Sequence, residues 1–358
     1  MQTQKKELSF KGENIYVGID VHAKSWTITT AGTYMIYKNI VMPPEPEKLK
    51  HYLEVNFPEA NYYSAYEAGF CGLWIHYRLQ ALGINNIVIN PADIPTTQKE
   101  IAQKEDLRDS RKIAKSLRGG FLNGIYILQE DTLSERAILR FRYQLIKDLN
   151  RCKCRLKSFL YFSGIKYPDQ FMKANSHWSR KFILWIESIP MRDIASKIVL
   201  NSLLTEVNNL RDQLLNTNMD IKHLSQTSKY KAHVELLQGI PGLGITTIMT
   251  LLTELEDINR FPNFDSFCSF IGLIPSTCSS GETDRNRGIT FRGHRLRKSI
   301  IECAWITVRN DSALSINFIN YSKRMAPNKA IIRIARKLLG RIYSVLKNKE
   351  PYQIRRIA

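Results

Sequence analysis

The chain has 358 residues, long enough for two domains and a connector, and its apolar fraction of 44% lets each build a core without disulfides. It carries 52 Lys and Arg against 33 Asp and Glu, a net charge of +19, which implies a polyanionic partner because every phosphate contact releases condensed counterions. The polar start MQTQKKELSFKGEN does not read as a secretory signal, and no apolar run reaches the ~18 residues of a membrane span. Six scattered cysteines (Cys71, Cys152, Cys154, Cys268, Cys278, Cys303) suit the reduced thiols of a cytoplasmic protein. Cys152 and Cys154 form C-x-C with no second pair or His cluster beside them, which is not the spacing of a zinc site.

From Ile15 to Thr30 the run IYVGIDVHAKSWTITT alternates like a strand with one buried face. A second strand is predicted over Tyr34 to Val41, closed by MPPEPE, then a helix over Glu47 to Val55. A short β-rich run at Tyr62 to Tyr66, a helix over Leu73 to Leu82 and a strand over Ile87 to Asn90 follow. Asp106 to Gly119 reads as a helix stopped by two glycines. Strands first, then strand–helix alternation, predict an α/β domain with a mixed sheet.

Between Leu133 and Leu224 the pattern becomes helical. Leu145, Leu149, Cys152, Leu156 and Phe159 make one stripe, and Leu200, Leu203, Val207, Leu210 and Leu214 another, continued by Ile221 and Leu224. Such stripes fit a coiled-coil connector that dimerises, or an intramolecular hairpin. The break from Gly164 to Trp178 is irregular and aromatic. After Val234, LQGIPGLGI resembles the turn of a helix-hairpin-helix, in which Gly242 and Gly244 would let amides approach a phosphate; a plain helix connection fits as well. Lys329 to Lys347 is a basic amphipathic helix.

Four acids stand out in the first domain. Asp20 interrupts the apolar frame VGIDVH, where an unpartnered carboxylate would be costly to bury. Glu67 ends the next core strand, in AYEAG. Asp106 and Asp109, three apart in EDLRDSRKIA, share one helix face. Carboxylates converging at one sheet edge could hold magnesium ions for an in-line phosphoryl displacement. Taken singly, Asp106 or Asp109 would usually be a capping or ion-pairing acid beside Arg108, Arg111 and Lys112, and Asp20 could be a plain strand-end acid.

The segments YVGIDVHAKSW, YEAGFCGLWIHYRLQALG, IVINPADIP and KEDLRDSRKIA resemble, in order and spacing, the ribonuclease-H-like domain of DEDD transposases of the IS-one-ten insertion-sequence family, a domain similar to Holliday-junction resolvases of the RuvC type. That resemblance implies Asp20, Glu67, Asp106 and Asp109 as the Mg2+-binding acids. Glu105 and Leu107 depart from the small or hydroxyl residue and the second basic residue that usually flank the first helix acid.

The stretch FIGLIPSTCSSGETDRNRGITFRGHRLRKSIIECAW places Ser279, Ser280 and Gly281 before a dense basic run of Arg285, Arg287, Arg292, Arg295, Arg297 and Lys298. From residues alone this is either a Ser-Gly turn in a basic nucleic-acid-binding loop or a serine nucleophile whose target phosphate is neutralised by arginines. The order GLIP, SSG, RGIT, RGH, LRKSIIECAW is similar to the C-terminal domain of the same family. The resemblance implies Ser280 as nucleophile, with Ser279 the neighbouring choice, and puts His294 where asparagine is common.

The expected fold is therefore α/β plus α. A ribonuclease-H-like (RuvC-like) mixed sheet spans 1–132, a helical coiled-coil connector 133–230, and a mainly helical transposase domain 231–358. The expected function is that of an insertion-sequence transposase, cutting and rejoining double-stranded DNA by metal-dependent attack of a serine. The resemblance further implies a structured guide RNA, a homo-oligomer, and a prokaryotic, nucleoid-associated setting in the cytoplasm. A metal-dependent junction resolvase, needing the acids but not the serine, and a non-catalytic nucleic-acid-binding protein are the alternatives.

Overall fold

The alternating run from Ile15 to Thr30 folds as two strands. β1 (Asn14–Val21) and β2 (Trp26–Ala31) pair antiparallel, with Ile19 opposite Ile28, around a tight turn in which the His22 amide donates to the Ser25 carbonyl over 3.1 Å. The computed structural model describes residues 9–94, 106–280, 283–290 and 295–353, and these fall into two compact units that divide after Ile127.

In the first unit β3 (Ile36–Met42) pairs antiparallel with β2. Helix α1 (Pro46–Asn56) leads to β4 (Asn61–Glu67), parallel to β1, and α2 (Trp74–Ala81) leads to β5 (Asn85–Ile89), parallel to β4. The sheet order is β3-β2-β1-β4-β5. One face buries Ile15, Val17, Ile19, Tyr62 and Tyr66 against Leu49, Leu53, Ile75 and Leu79. Each such aliphatic side chain contributes roughly 1.5–3 kcal/mol on burial. The other face presents Gly18 and Ala65 and is covered by α3 (Asp106–Arg118), with Ile113 packed among Ala65, Ile89 and Leu122.

The second unit opens with α4 (Glu130–Phe162), followed by α5 (Arg180–Ser188) and α6 (Ile194–Leu224). Helices α4 and α6 lie antiparallel, since Arg142 bonds Asn218 at 2.6 Å while Arg155 bonds Glu206 at 2.7 Å. Leu149, Cys152 and Leu156 meet Leu200, Leu204 and Val207, with Leu203, Leu210 and Leu214 packed alongside. The two apolar stripes thus close on each other within the chain.

The remaining helices, α7 (Lys231–Gln238), α8 (Ile245–Leu255), α9 (Phe264–Ile271), α10 (Leu296–Asn310), α11 (Ser312–Ser322) and α12 (Pro327–Asn348), form a bundle. A hairpin of β6 (Pro275–Ser280) and β7 (Thr283–Ile289) stands between α9 and α10 in the chain. The basic amphipathic helix is α12, which buries Ile331, Ile334, Leu338, Leu339 and Ile342 along one stripe. Among the described residues no helix is long and apolar enough to cross a membrane.

Asp311 joins α10 to α11 and is almost wholly buried. Its carboxylate accepts from the Leu314 amide at 3.0 Å, from the Tyr352 hydroxyl at 2.6 Å and from the Arg341 guanidinium. Burial pushes its pKa up, but the bonds from Tyr352, Leu314 and Arg341 outweigh that and hold it below the ordinary 3.8. A depressed folded value means stability that is present above the unfolded value and lost as pH falls through the folded one. Asp311→Ala should therefore cost about 3 kcal/mol in urea unfolding at pH 7. The gap from wild type should narrow as pH drops below about 4; a gap unchanged at pH 3 would contradict this account.

Candidate active site

The register of β1 with β4 brings two of the four acids together. Gly18 pairs with Ala65 and Ile19 with Tyr66, so the next step sets Asp20 beside Glu67, at the C-terminal ends of neighbouring parallel strands. Both follow the period-two alternation of Gly18 and Ala65 and so belong to the face that α3 covers. Asp20 keeps 22% of its side chain exposed and lies 3.2 Å from His22 Nε2. Glu67 is exposed.

Close packing fixes where α3 lies. A Cβ at Gly18 would collide with the Ser110 carbonyl and the Ala114 amide nitrogen. Ser110, fully buried, bonds Thr29 through the two hydroxyls at 2.9 Å, and Asn39 Nδ2 donates to the Thr29 hydroxyl, also at 2.9 Å. At the other end Arg118 reaches the Gly32 carbonyl at 3.5 Å, next to Ala31, which pairs with Tyr16 near the start of β1. The C-terminal end of α3 therefore lies toward the start of β1, and the end bearing Asp106 and Asp109 lies toward Asp20. Asp109 is half-buried; Asp106 begins the helix, and its side chain is outside the described residues.

Carboxylate oxygens are the donors that Mg2+ accepts, so the chemistry of the set fits such an ion. Among the described residues no three His, Cys, Asp or Glu side chains gather closely enough to hold a metal. Asp20, Glu67 and Asp109 are all among those residues, so they do not form such a group by themselves, and the Asp106 side chain lies outside them.

In the second unit Ser279 and Ser280 are the last two residues of β6, not members of the turn itself, and they pair with Asp284 and Thr283. Their side chains, like those of Arg285 and Arg287 on β7, lie outside the described residues, as do Gly281, Arg292 and His294 altogether. Of the basic run, Arg297 is committed to the protein: it donates to the Thr290 carbonyl at 2.6 Å and toward that of Gly272 at 3.4 Å, holding the base of the hairpin. Arg295 is exposed, with its guanidinium 5.6 Å from the centre of the Tyr143 ring, and Lys298 is 80% exposed near Glu302.

The glycine turn between α7 and α8 divides into two roles. Gly242 has φ +92°, and a Cβ there would stand 2.7 Å from the Cys303 carbonyl and 2.8 Å from the Thr307 hydroxyl, so this glycine is needed for packing onto α10. Gly244 precedes α8, is exposed, and has open space around it.

Sequence reasoning missed three partnerships. His22 was visible as a neighbour of Asp20, two residues on. Ser110 stood unremarked beside Asp109 in the D-x-x-D-S run. Glu254, 4% exposed, pairs with Arg140 at 2.9 Å and Arg136 at 3.5 Å, joining α8 to α4 across more than a hundred residues. No local pattern encodes that pairing.

Comparison with known proteins bears on both units. A family model for DEDD transposases of the IS110 type matches residues 17–163, and one for transposases of the IS116/IS110/IS902 family matches residues 234–319. A Sinorhizobium fredii protein assigned as transposase y4qE is 27% identical over 244 residues, which are 68% of this chain and 58% of that protein. The transposase for insertion sequence element IS1533 of Leptospira borgpetersenii is 26% identical over 240 residues, 66% of this chain and 68% of the relative. The transposase for IS1111A of Coxiella burnetii is 26% identical over 293 residues, 79% and 78% of the two chains. The match thus spans less than two thirds of the Sinorhizobium protein's length.

Gly18→Ala tests the docking of α3. The added methyl should force the helix off the sheet and lower stability by about 1–3 kcal/mol, the usual cost of overpacking. Thermal unfolding of the full chain measures it; wild-type stability would show that the close approach is dispensable.

Proposed function

The chain belongs to the IS116/IS110/IS902 family of insertion-sequence transposases, and from that premise we propose that it cuts and rejoins double-stranded DNA through a serine nucleophile, Ser280, assisted by Mg2+ at Asp20, Glu67, Asp106 and Asp109. The observation that carries the reading is the strand register that sets Asp20 beside Glu67, on the sheet face where α3 brings its acidic end, inside the segment matched by the DEDD family model. The order β3-β2-β1-β4-β5, antiparallel then parallel, supports a ribonuclease-H-like (RuvC-like) reading of this unit.

In the proposed reaction the Ser280 oxygen bonds to a DNA phosphorus as the bond from phosphorus to a sugar oxygen breaks. The serine gives up its proton and the departing oxygen gains one, so a phosphoserine and a free hydroxyl result. Attack by a hydroxyl from another strand reverses these bonds and completes exchange without net hydrolysis. Mg2+, when bound, would offset charge on the reacting phosphate oxygens. Asp20 and Glu67 would hold it, with the α3 acids closing the set. Arg285, Arg287, Arg292, Arg295 and Lys298 would offset phosphate charge around the serine, and Arg297 would keep the hairpin in place. A structured guide RNA would choose the DNA partners, and a homo-oligomer would share its two kinds of site in the prokaryotic cytoplasm, at the nucleoid; since the stripes of 133–230 close on each other, any dimer contact of that connector would use its outer surface.

Trapping checks this directly. Full-length protein incubated with Mg2+ and DNA carrying element ends, then denatured, should yield a covalent adduct that mass spectrometry assigns to Ser280. Ser280→Ala should give none, and Asp20→Asn or Glu67→Gln should slow adduct formation by about 10²–10³-fold, the scale of losing one electrostatic contact to a transition state. Full strand exchange by Ser280→Ala would favour the resolvase reading; unchanged exchange in both acid variants would remove the catalytic role of those acids, and salt-dependent DNA binding by wild type with neither adduct nor exchange would favour a non-catalytic binding protein.

A further inference from the structure

The α4–α6 hairpin carries charge that its own acids do not offset. Between residues 147 and 181 nine Lys and Arg stand against two Asp and Glu, far above the balance of the chain as a whole. Some of these cations are paired, as Arg155 is with Glu206 at 2.7 Å and Arg151 with Asp148 at 3.7 Å. Among the described residues no carboxylate forms an ion pair with Lys153, Lys157 or Arg211.

The two lysines are gathered and held, and Arg211 is near enough to act on Lys153. Lys153 and Lys157, four apart on α4, share a face and direct their ammonium groups over the ring of Trp178, 5.1 and 5.9 Å from its centre. Lys157 also donates to His177 Nδ1 at 2.7 Å, which leaves the ring proton on Nε2, 2.7 Å from the Phe171 carbonyl. Trp178 has φ +68°, a strained setting for a bulky residue, and packs edge-on against Phe182 at 5.6 Å. Arg211 approaches from α6. Burial, then repulsion from Arg211 and Lys157, pulls the Lys153 ammonium below its ordinary pKa. Like charges half-buried together lower stability, and an anion seated among them would relieve that repulsion.

We propose that Lys153 and Lys157, with Trp178 beneath them, and Arg211 from α6 clamp the phosphodiester backbone of a nucleic acid on the α4–α6 hairpin. The site supplies several donors in a compact group and no acid, which suits tetrahedral phosphate oxygens presented by a regular polyanion. It is distinct from the acids and the basic run named for the proposed reaction, and it rests on the reading that nucleic acid is the substrate.

The test uses the full chain and fluorescence anisotropy with a labelled duplex DNA and a labelled hairpin RNA, each titrated over a range of salt. For the combined Lys153→Gln, Lys157→Gln, Arg211→Gln variant, the slope of log affinity against log salt should fall by about 2–3, near 0.9 for each duplex phosphate that is no longer neutralised. Arg155→Gln, which removes a cation already paired, should leave the slope within about half a unit of wild type. A smaller slope on the DNA arm alone, the RNA arm alone or both supports the clamp and names the strand it holds. Unchanged slopes on both arms, an equal fall in Arg155→Gln, or displacement of the probes by polyglutamate as readily as by unlabelled DNA would overturn it. Thermal unfolding of each variant separates weakened binding from a failure to fold, and Lys153→Arg with Lys157→Arg should retain binding in a folded chain. If wild type itself bound neither probe in a salt-dependent way, the broader function would fail; wild-type binding with an unaffected variant removes the clamp alone.

Discussion

With no side chain at Gly18 and only a methyl at Ala65, helix α3 can lie against the sheet closely enough for the buried Ser110 hydroxyl to bond Thr29. That approach decides where Asp106 and Asp109 stand, because a rigid helix anchored at Ser110 and at Arg118 has little freedom left at its first turn. Asp20 and Glu67 are placed by a different constraint, the parallel ladder of β1 and β4. The acids thus depend on two kinds of order: backbone hydrogen bonds across the sheet, and one glycine that permits a helix to come near it. Neither works alone, since a correct ladder beneath a displaced helix would separate the pairs.

The second unit solves its problem with buried charge as well as apolar packing. Glu254 is nearly inaccessible and meets Arg140 through two 2.9 Å bonds, and Asp311 is sealed under Arg341 and Tyr352. Buried pairs of this sort add little net stability over an apolar substitute, but breaking one is costly. What they specify is register: α4 against α8, and the residues after α12 against the α10–α11 junction. Arg297 does the same for the β6–β7 hairpin, whose base it ties to two backbone carbonyls. The proposed role of Ser280 would depend on such a fixed base, because misplacement by an ångström can cost orders of magnitude in rate.

Much of this is legible in the residues, and the parts that are not share a cause. Helices α1, α2, α3 and α12 fall where periodicity and punctuation put them, because their signals are local. The β1–β2 hairpin is hidden inside one alternating run, since HAKS contains neither Gly nor Pro and both strands keep the same period. The leucine stripes mark packed helices, yet a stripe does not say whether its partner is the same chain; α4 and α6 meet as an intramolecular pair. Ser279 and Ser280 look like a turn by composition, but their pairing with Asp284 and Thr283 extends the strand through them. Asp20 and Glu67 are identifiable because each breaks an apolar pattern, whereas the Glu254 pairings break none and link residues 114 and 118 positions apart.

The same distinction bears on the surplus of positive charge. A net +19 says only that a polyanion is near, and the side chains that meet it cannot be found by counting basic residues. Arg136, Arg140, Arg155, Arg336 and Arg341 are all engaged by carboxylates of this chain. Arg297, the most conspicuous member of the basic run after the serine, bonds backbone carbonyls. Cations that are held in place yet have no acid beside them are the better guide, because ordering like charges together is unfavourable unless something outside the chain completes the arrangement. By that criterion the α4–α6 hairpin, which sequence alone marked only as a pair of apolar stripes, carries a stronger electrostatic signature than Arg297 in the run where basic residues are densest.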